Sequence, residues 1–403
     1  MIAEVIVDIV NSNVDRVFEY IADDTTCVGS RVNIPFGTRY IEGYVINIKQ
    51  TSNWPLEKLK HIGTMIDDYP VLTPELISLG DFMCKENHLR RIDCMRLFVP
   101  SQLRTNKTKP LLINYVRLTQ SFNKDELLAS LRSNAKKQRD MIEYLEFDTD
   151  YLKAELNKLF GAQNINKLLS LGYLEEFQKH KQRRPYTAEK QDKKVVLSQT
   201  QQKVVDDICS SNGGVHLLFG VTGSGKTEVY MHVISNVIEQ GKTAILLVPE
   251  ISLTPQVMGN FKARFGDNVA LLHSGLSDGE RFDEWQRIRE GQVKIVVGAR
   301  SAIFAPISNV GVIIMDEEHD PSYKSENNPR YLTHDVAHFR AEYNHCPLIL
   351  GSATPAIESF YAAKQNKYIL HELPERANKK AMPVIQVVNM CTEVLNGNTS
   401  MFS

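Results

Sequence analysis

The chain has 403 residues, too many for one ordinary domain, and roughly two to four domains are expected of that length. Its 42% hydrophobic and 24% charged residues are those of a soluble globular protein with sizeable cores. A formal net charge of −1 excludes nucleic-acid binding through bulk charge and leaves that role to local basic patches.

The opening MIAEVIVDIV carries Glu4 and Asp8 and no basic leader, so it reads as a strand and not as a signal peptide. No apolar run approaches the roughly 20 residues of a membrane helix, so no membrane association is expected. After Ile2 to Ile9, a turn near Gly29 leads into RVNIP, and Gly37 punctuates before YIEGYVINIK. This is the grammar of a small β-rich module over residues 1–105. Polar TNKTKP, Thr105 to Pro110, follows as a linker. SNAKKQRDMIEYL and INKLLSLGYLEEF have helical spacing, with Gly172 breaking the second. Followed by a short hairpin, they suggest a winged helix over 110–185. Basic KHKQRRPYTAEKQDKK reads as an exposed connection whose charges are more simply solvated than bound to DNA.

From Val195 the texture changes. VHLLF, AILLVP, KIVVGA, VGVIIMDE and PLILGSAT are short apolar runs of buried parallel strands, with amphipathic stretches such as EVYMHVISNVIEQ between them. A doubly wound α/β domain is expected over 193–385, its ligands gathering at the carboxyl ends of the strands. Residues 386–403 then lead onward. The six cysteines, Cys27, Cys84, Cys94, Cys209, Cys346 and Cys391, form no C-x-x-C pair and suit free thiols in a reducing cytoplasm.

The strongest chemical signal is GVTGSGKT: Gly220, Val221, Thr222, Gly223, Ser224, Gly225, Lys226 and Thr227. It fits G-x-x-x-x-G-K-[ST] between a strand and a helix. Glycines let successive N–H groups point at phosphate oxygens, and the helix N-terminus adds its dipole. Lys226 supplies charge for the β and γ phosphates of a nucleotide, and Thr227 a hydroxyl for Mg²⁺. In VIIMDEEHD, Asp316 is placed to hold Mg²⁺ and Glu317 to orient and deprotonate the attacking water. In GSATP, Ser352 and Thr354 are placed to bond the DEEH segment, with His319 as the coupling partner. The absence of N-K-x-D favours adenine, hence ATP.

Phosphate loop, then D-E-x-H, then S-A-T resembles superfamily 2 helicases. LVPEISLTPQ, LLHSGLSDGERFDEW, VVGARSAIFAP and DEEHDPSYKSENNPRYLTHDVAHFRA, with VFEY and GSRVNIPFG near the start, resemble the primosomal replication-restart helicases more closely. The resemblance implies an ATP- and Mg²⁺-dependent, 3′→5′ motor of the bacterial cytoplasm and nucleoid. It would act on forked and single-stranded DNA, with single-stranded DNA-binding protein and primosome or helicase-loader proteins as partners.

By the same resemblance Gln201 would meet the adenine, and Arg300 and Ser301 would lie near the DNA backbone. The loop from Tyr323 to Tyr331, with Lys324 and Arg330, would couple DNA contact to hydrolysis, its aromatics stacking on bases. Phe18, Glu19, Gly37 and Lys60 would line a pocket for the 3′ end of a nascent strand, Glu19 standing where the family has aspartate. Members of the family continue past Ser403 into a second RecA-like lobe with γ-phosphate arginines and a zinc cluster. The chain alone is therefore expected to bind DNA and nucleotide without unwinding. An ATP-independent adaptor that recognises fork DNA and partner proteins is the alternative.

Overall fold

A computed structural model describes residues 1–52, 54–104, 111–119, 123–131, 136–180, 183, 195–378, 387–398 and 400. The proposed linker at 105–110 and nearly all of the basic connection at 179–194 lie outside the described residues. Compactness divides the chain into two units. Residues 1–191 with 253–308 make the first, and 192–252 with 309–403 the second.

The first unit opens with an antiparallel sheet in the order β2-β1-β4-β3, from β1 (Ile2–Val7), β2 (Val17–Ile21), β3 (Arg31–Phe36) and β4 (Arg39–Lys49). Alternation turns Ala3, Val5, Val7 and Tyr20 into one apolar cluster with Val32, Ile34 and Val45. The buried Arg31 guanidinium spans the module. Its Nε and Nη2 donate to Asp67 at 2.7 and 2.9 Å, and its Nη1 donates to Glu42 at 3.3 Å and to the Leu103 carbonyl at 2.8 Å. Two helices follow, α1 (Pro74–Asn87), capped by Thr73 with Pro74 in its first turn, and α2 (Arg91–Phe98), and then the short α3 (Ser101–Arg104).

Next come β5 (Leu112–Leu118), α4 (Lys124–Ser130), α5 (Lys136–Tyr144), β6 (Tyr151–Leu152), α6 (Lys153–Phe160), α7 (Ala162–Ser170) and β7 (Leu174–His180). The helices pack their own core around Met141, Ile142, Leu156, Ile165 and Leu168. The sequence expectation of helices followed by a hairpin is corrected here. LEEF, from Leu174, is strand, not helix, and β7 pairs with β5, which precedes the helices, while β6 flanks β5 on the other side. Gly172 at φ +76° makes the turn that ends the helical run.

The second unit begins with α8 (Gln199–Ser210), β8 (Val215–Gly220), α9 (Lys226–Glu239) and β9 (Thr243–Leu247). The chain then returns to the first unit for α10 (Pro255–Phe265), β10 (Val269–Leu272), α11 (Asp278–Arg289) and β11 (Ile295–Gly298), where β10 and β11 pair in parallel. It resumes with β12 (Val310–Asp316), α12 (Thr333–Tyr343), β13 (Leu348–Ser352), α13 (Ile357–Lys364), β14 (Ile369–Leu373) and α14 (Met390–Leu395). Within the second unit the strands run parallel in the order β9-β12-β13-β8-β14. All five residues of β9 and of β13 are buried, as strands covered on both faces must be. The expected α/β multidomain architecture, with a β-rich amino-terminal module and a parallel sheet of the RecA-like helicase type, is thus present. All five apolar runs read from the sequence form strands.

Candidate nucleotide-binding site

β8 delivers the chain into the loop 221–225, and α9 begins at Lys226. Gly225 caps that helix in the left-handed region, φ +84°, and a Cβ there would lie 2.4 Å from Gln201 Nε2. Gln201 fills the space instead. Its Nε2 donates to the Ser224 carbonyl at 2.8 Å, while its Oε1 accepts from Ser198 N–H at 2.8 Å in the capping box of α8. The loop is also held from β14, where Val221 N–H donates to the Leu373 carbonyl at 3.2 Å. Just beyond β14, Ala377 N–H donates to the Gly223 carbonyl at 2.8 Å.

Lys226 is buried, and its Nζ donates to the Gly220 carbonyl at 2.9 Å and lies 3.9 Å from Glu317 Oε1. Asp316 ends β12 beside Gly351 of β13. One turn along α9 from Lys226, the fully buried Tyr230 donates its hydroxyl to Asp316 Oδ1 at 2.9 Å. A Cβ on Gly351 would sit 1.7 Å from that hydroxyl, so the absence of a side chain at 351 is what lets Tyr230 reach the carboxylate. Burial raises the Asp316 carboxyl above its ordinary value, with Tyr230 and Lys226 opposing and the Glu317 charge adding. Glu317 adopts φ +44° and turns the chain at the strand end.

Glu318 is buried and faces away. It accepts from Ala356 N–H at 2.7 Å and Ser359 hydroxyl at 2.9 Å and pairs with His334 at 3.3 Å. Burial alone would raise it, yet His334 and these donors hold it below the usual carboxylate range. His319 Nδ1 lies 2.8 Å from Ser352 Oγ and its Nε2 3.3 Å from Thr354 Oγ1, so the third motif touches the second directly.

Two observations bear on whether a Mg-nucleotide fits. Ser224 Oγ, in the loop, is buried and makes no hydrogen bond among the described residues. Asp316 is a largely buried carboxyl whose one side-chain donor among the described residues is a neutral phenol, the kind of site a cation stabilises. Thr227 is exposed at the helix start beside them. These donors fit phosphate oxygens and a hard divalent ion.

The other sequence candidates are placed less uniformly. Tyr323 and Tyr331 were expected to stack on bases, and the structure corrects this. They are 1% and 6% exposed, and Tyr323 donates its hydroxyl to the Asp316 carbonyl at 2.7 Å. A ring that packs on the body while its hydroxyl finds a backbone acceptor has no face left for a base. Lys324 and Arg330, in the same loop, are exposed.

In the first unit, Phe18 packs edge-to-face on Phe36 at 5.3 Å, and Lys60 Nζ donates to the Gly37 carbonyl at 3.4 Å. Glu19 does not join them. Register sets Phe18 against Val5 and Glu19 against Glu4, so adjacent residues of β2 face opposite sides of the sheet. Glu19 accepts from Lys49 at 2.6 Å and closely from Ser52, and Lys49 also reaches Glu4 at 2.6 Å. Those hydrogen bonds, Lys49 first, lower its pKa. The expected pocket of four is thus two groups. Arg300 is half-buried, and Ser301 lines a cavity of ≈140 Å³ with His273, Arg281 and Trp285.

Tyr230, Gly351 and Lys49 are the site residues that sequence reasoning passed over. For Tyr230 the signal was available, since it lies at i+4 from Lys226 on a helix whose start the motif fixes.

Comparison with known proteins finds family matches along the chain. Residues 198–362 match the DEAD/DEAH box helicase family, and residues 4–100 the 3′DNA-binding domain (3′BD). Replication restart protein PriA of Bacillus subtilis is 36% identical over the whole of this chain and 59% of its own length. PriA of Haemophilus influenzae is 34% identical over 90% of this chain and 50% of its own, and that of Synechocystis 50% identical over 46% and 23%. The chain spans between half and three-fifths of the length of the relatives it matches most fully.

Proposed function

We propose that this chain, a relative of replication restart protein PriA along its whole length, is the nucleotide- and DNA-binding part of an ATP-dependent 3′→5′ DNA helicase. The enzyme recognises stalled or abandoned forks and initiates primosome assembly. The observation that carries this reading is the convergence, within one unit, of Lys226, Asp316, Glu317 and the His319–Ser352 contact at the carboxyl ends of β8, β12 and β13.

On this reading Lys226 leaves the Gly220 carbonyl for the β and γ phosphates, and Thr227 with Asp316 holds Mg²⁺. When bound, the metal would neutralise phosphate charge. Glu317 orients the attacking water and takes its proton. Gln201 retains one N–H and one lone pair, the complement of an adenine edge. His319 passes the state of this site to Ser352 and Thr354. Phe18, Gly37 and Lys60 meet the 3′ end of a nascent strand, with Glu19 reached from the other sheet face. Arg300, Ser301, Lys324 and Arg330 meet DNA phosphates.

The functional parts are a 3′-end module over 1–105, a winged helix over 110–185, and a first RecA-like lobe over 193–385. Residues 386–403 connect to a second lobe. Single-stranded DNA-binding protein and primosome or loader proteins are the partners, in the bacterial cytoplasm.

The test is Lys226→Ala in the purified chain ending at Ser403. Binding of a fluorescent ATP analogue with Mg²⁺ should be lost, and binding of forked DNA with a free 3′ hydroxyl should be kept. Nucleotide affinity equal to that of the parent chain would remove Lys226, and the reading with it.

A further inference from the structure

α1 and α2 approach closely in the first unit because Gly80 omits a side chain. A Cβ there would lie 2.8 Å from Met95 Cε and 3.8 Å from Cys94 Cβ. Cys84 follows Gly80 by four residues and so lies on the same face of α1, one turn along. Its Sγ is 3.8 Å from Cys94 Sγ, a van der Waals contact that a small side-chain rotation would bring toward bonding range.

The two thiols are unequal. Cys94 is fully buried, while Cys84 is half-buried. The two sulfurs share one weak S–H···S contact in which either thiol can donate. That bond, with Arg91 helping and burial opposing, holds Cys84 below the ordinary thiol range, whereas the same bond and burial push Cys94 up. Cys209, by contrast, is pushed up to about 11 by burial. Neither Cys84 nor Cys94 belongs to the nucleotide site or to the Phe18–Gly37–Lys60 group.

We propose that Cys84 and Cys94 form a peroxide-responsive dithiol that closes to an intramolecular disulfide between α1 and α2. The Cys84 thiolate attacks one oxygen of a hydroperoxide, the O–O bond breaks, and Cys84 becomes a sulfenic acid as hydroxide or alkoxide leaves and takes a proton. Cys94 sulfur then displaces water from the sulfenic acid, and its thiol proton goes to that water. In sum, two thiols give up two electrons and two protons, and the peroxide is reduced to water and water or alcohol.

Cys84 attacks because it is the more exposed of the two thiols. Cys94 resolves because it is already in contact. The bond would fix α1 to the end of the sheet that α2 already grips, where Arg96 donates to Asp8 at 2.7 Å and Arg91 N–H to Asp15 at 2.9 Å.

The experiment treats the full reduced chain with hydrogen peroxide, alkylates it under denaturing conditions, and maps cysteines by peptide mass spectrometry. Cys84 and Cys94 should lose alkylation together and appear as one linked peptide lighter by two hydrogens, restored by a thiol reductant. In Cys94→Ser, Cys84 should be trapped by dimedone as the sulfenic acid. In Cys84→Ser, Cys94 should remain alkylatable at the same dose. The proposal is overturned if Cys84 links instead to Cys27, Cys391 or another chain. It is equally overturned if Cys84 stays alkylatable while exposed Cys27 is oxidised, or passes to sulfinic acid with Cys94 intact. The unaltered chain decides among these outcomes, so a variant that failed to fold would not protect the idea.

Discussion

Acidification should loosen the phosphate loop through a histidine pair beneath it. His216 of β8 and His371 of β14 stack at 5.3 Å between centroids, with His216 Nδ1 3.0 Å from His371 Nε2 and its Nε2 3.1 Å from Ser211 Oγ. Between two imidazoles one nitrogen must accept, so the pair requires a neutral ring. Burial first, and the neighbouring imidazole second, lower His216 from 6.5 to about 4, and burial lowers His371 as well. The unfolded chain therefore takes up a proton near pH 6.5 that the folded chain refuses until about pH 4. The contribution is complete above the unfolded value and is lost as pH falls through this window. For His216 alone the loss is about 3 kcal/mol at the acid end, and about 2 kcal/mol by pH 5.

Urea unfolding of the parent chain and of His216→Gln, followed by far-ultraviolet circular dichroism at pH 7 and pH 5, measures the difference. The variant should lose about 2 kcal/mol less than the parent on acidification. Because β14 and the residues after it hold Val221 and Gly223, parent nucleotide affinity should weaken over the same interval. Equal acid losses in the two chains, or a His216 ring that titrates near its unperturbed value by NMR, would refute the reasoning.

Gly351→Ala should displace Tyr230 and cost about 1–3 kcal/mol of overpacking, besides the bond to Asp316. In a Tyr230→Phe background the same change should cost measurably less by thermal unfolding, since the colliding hydroxyl is gone. Arg31→Ala should lower stability by about 3–5 kcal/mol by stranding Asp67 and Glu42, and Arg31→Met by less, measured in the same denaturant series. Glu317→Gln should bind the ATP analogue as the parent does. In a chain extended by a second lobe it should release phosphate far more slowly, and unchanged turnover there would take the base role from Glu317.

The phosphate loop was legible because glycine, lysine and threonine at fixed spacing have few other uses. The five apolar runs were legible because strands buried on both faces leave an unbroken trace. β14 left none. Its centre is His371, a polar residue buried only because His216 answers it from β8, so its burial could not be read from its own segment. The loop tyrosines misled for a related reason. An aromatic among Asp, Ser, Lys and Asn reads as exposed, whereas Tyr323 is buried once its hydroxyl finds the Asp316 carbonyl. Phe18 and Glu19 looked like one pocket because they are neighbours in sequence. In a strand that adjacency is what separates them.

The left-handed turn at Glu317 bears on how this protein could be made sturdier. A side chain held there costs about 1–2 kcal/mol that glycine would not, so Glu317→Gly should raise the melting temperature of the second unit. Selection for thermal resistance alone would thus drift toward removing the carboxylate that the proposed chemistry needs. An engineer screening variants of this chain by stability would find at position 317 an improvement that removes the proposed catalytic base.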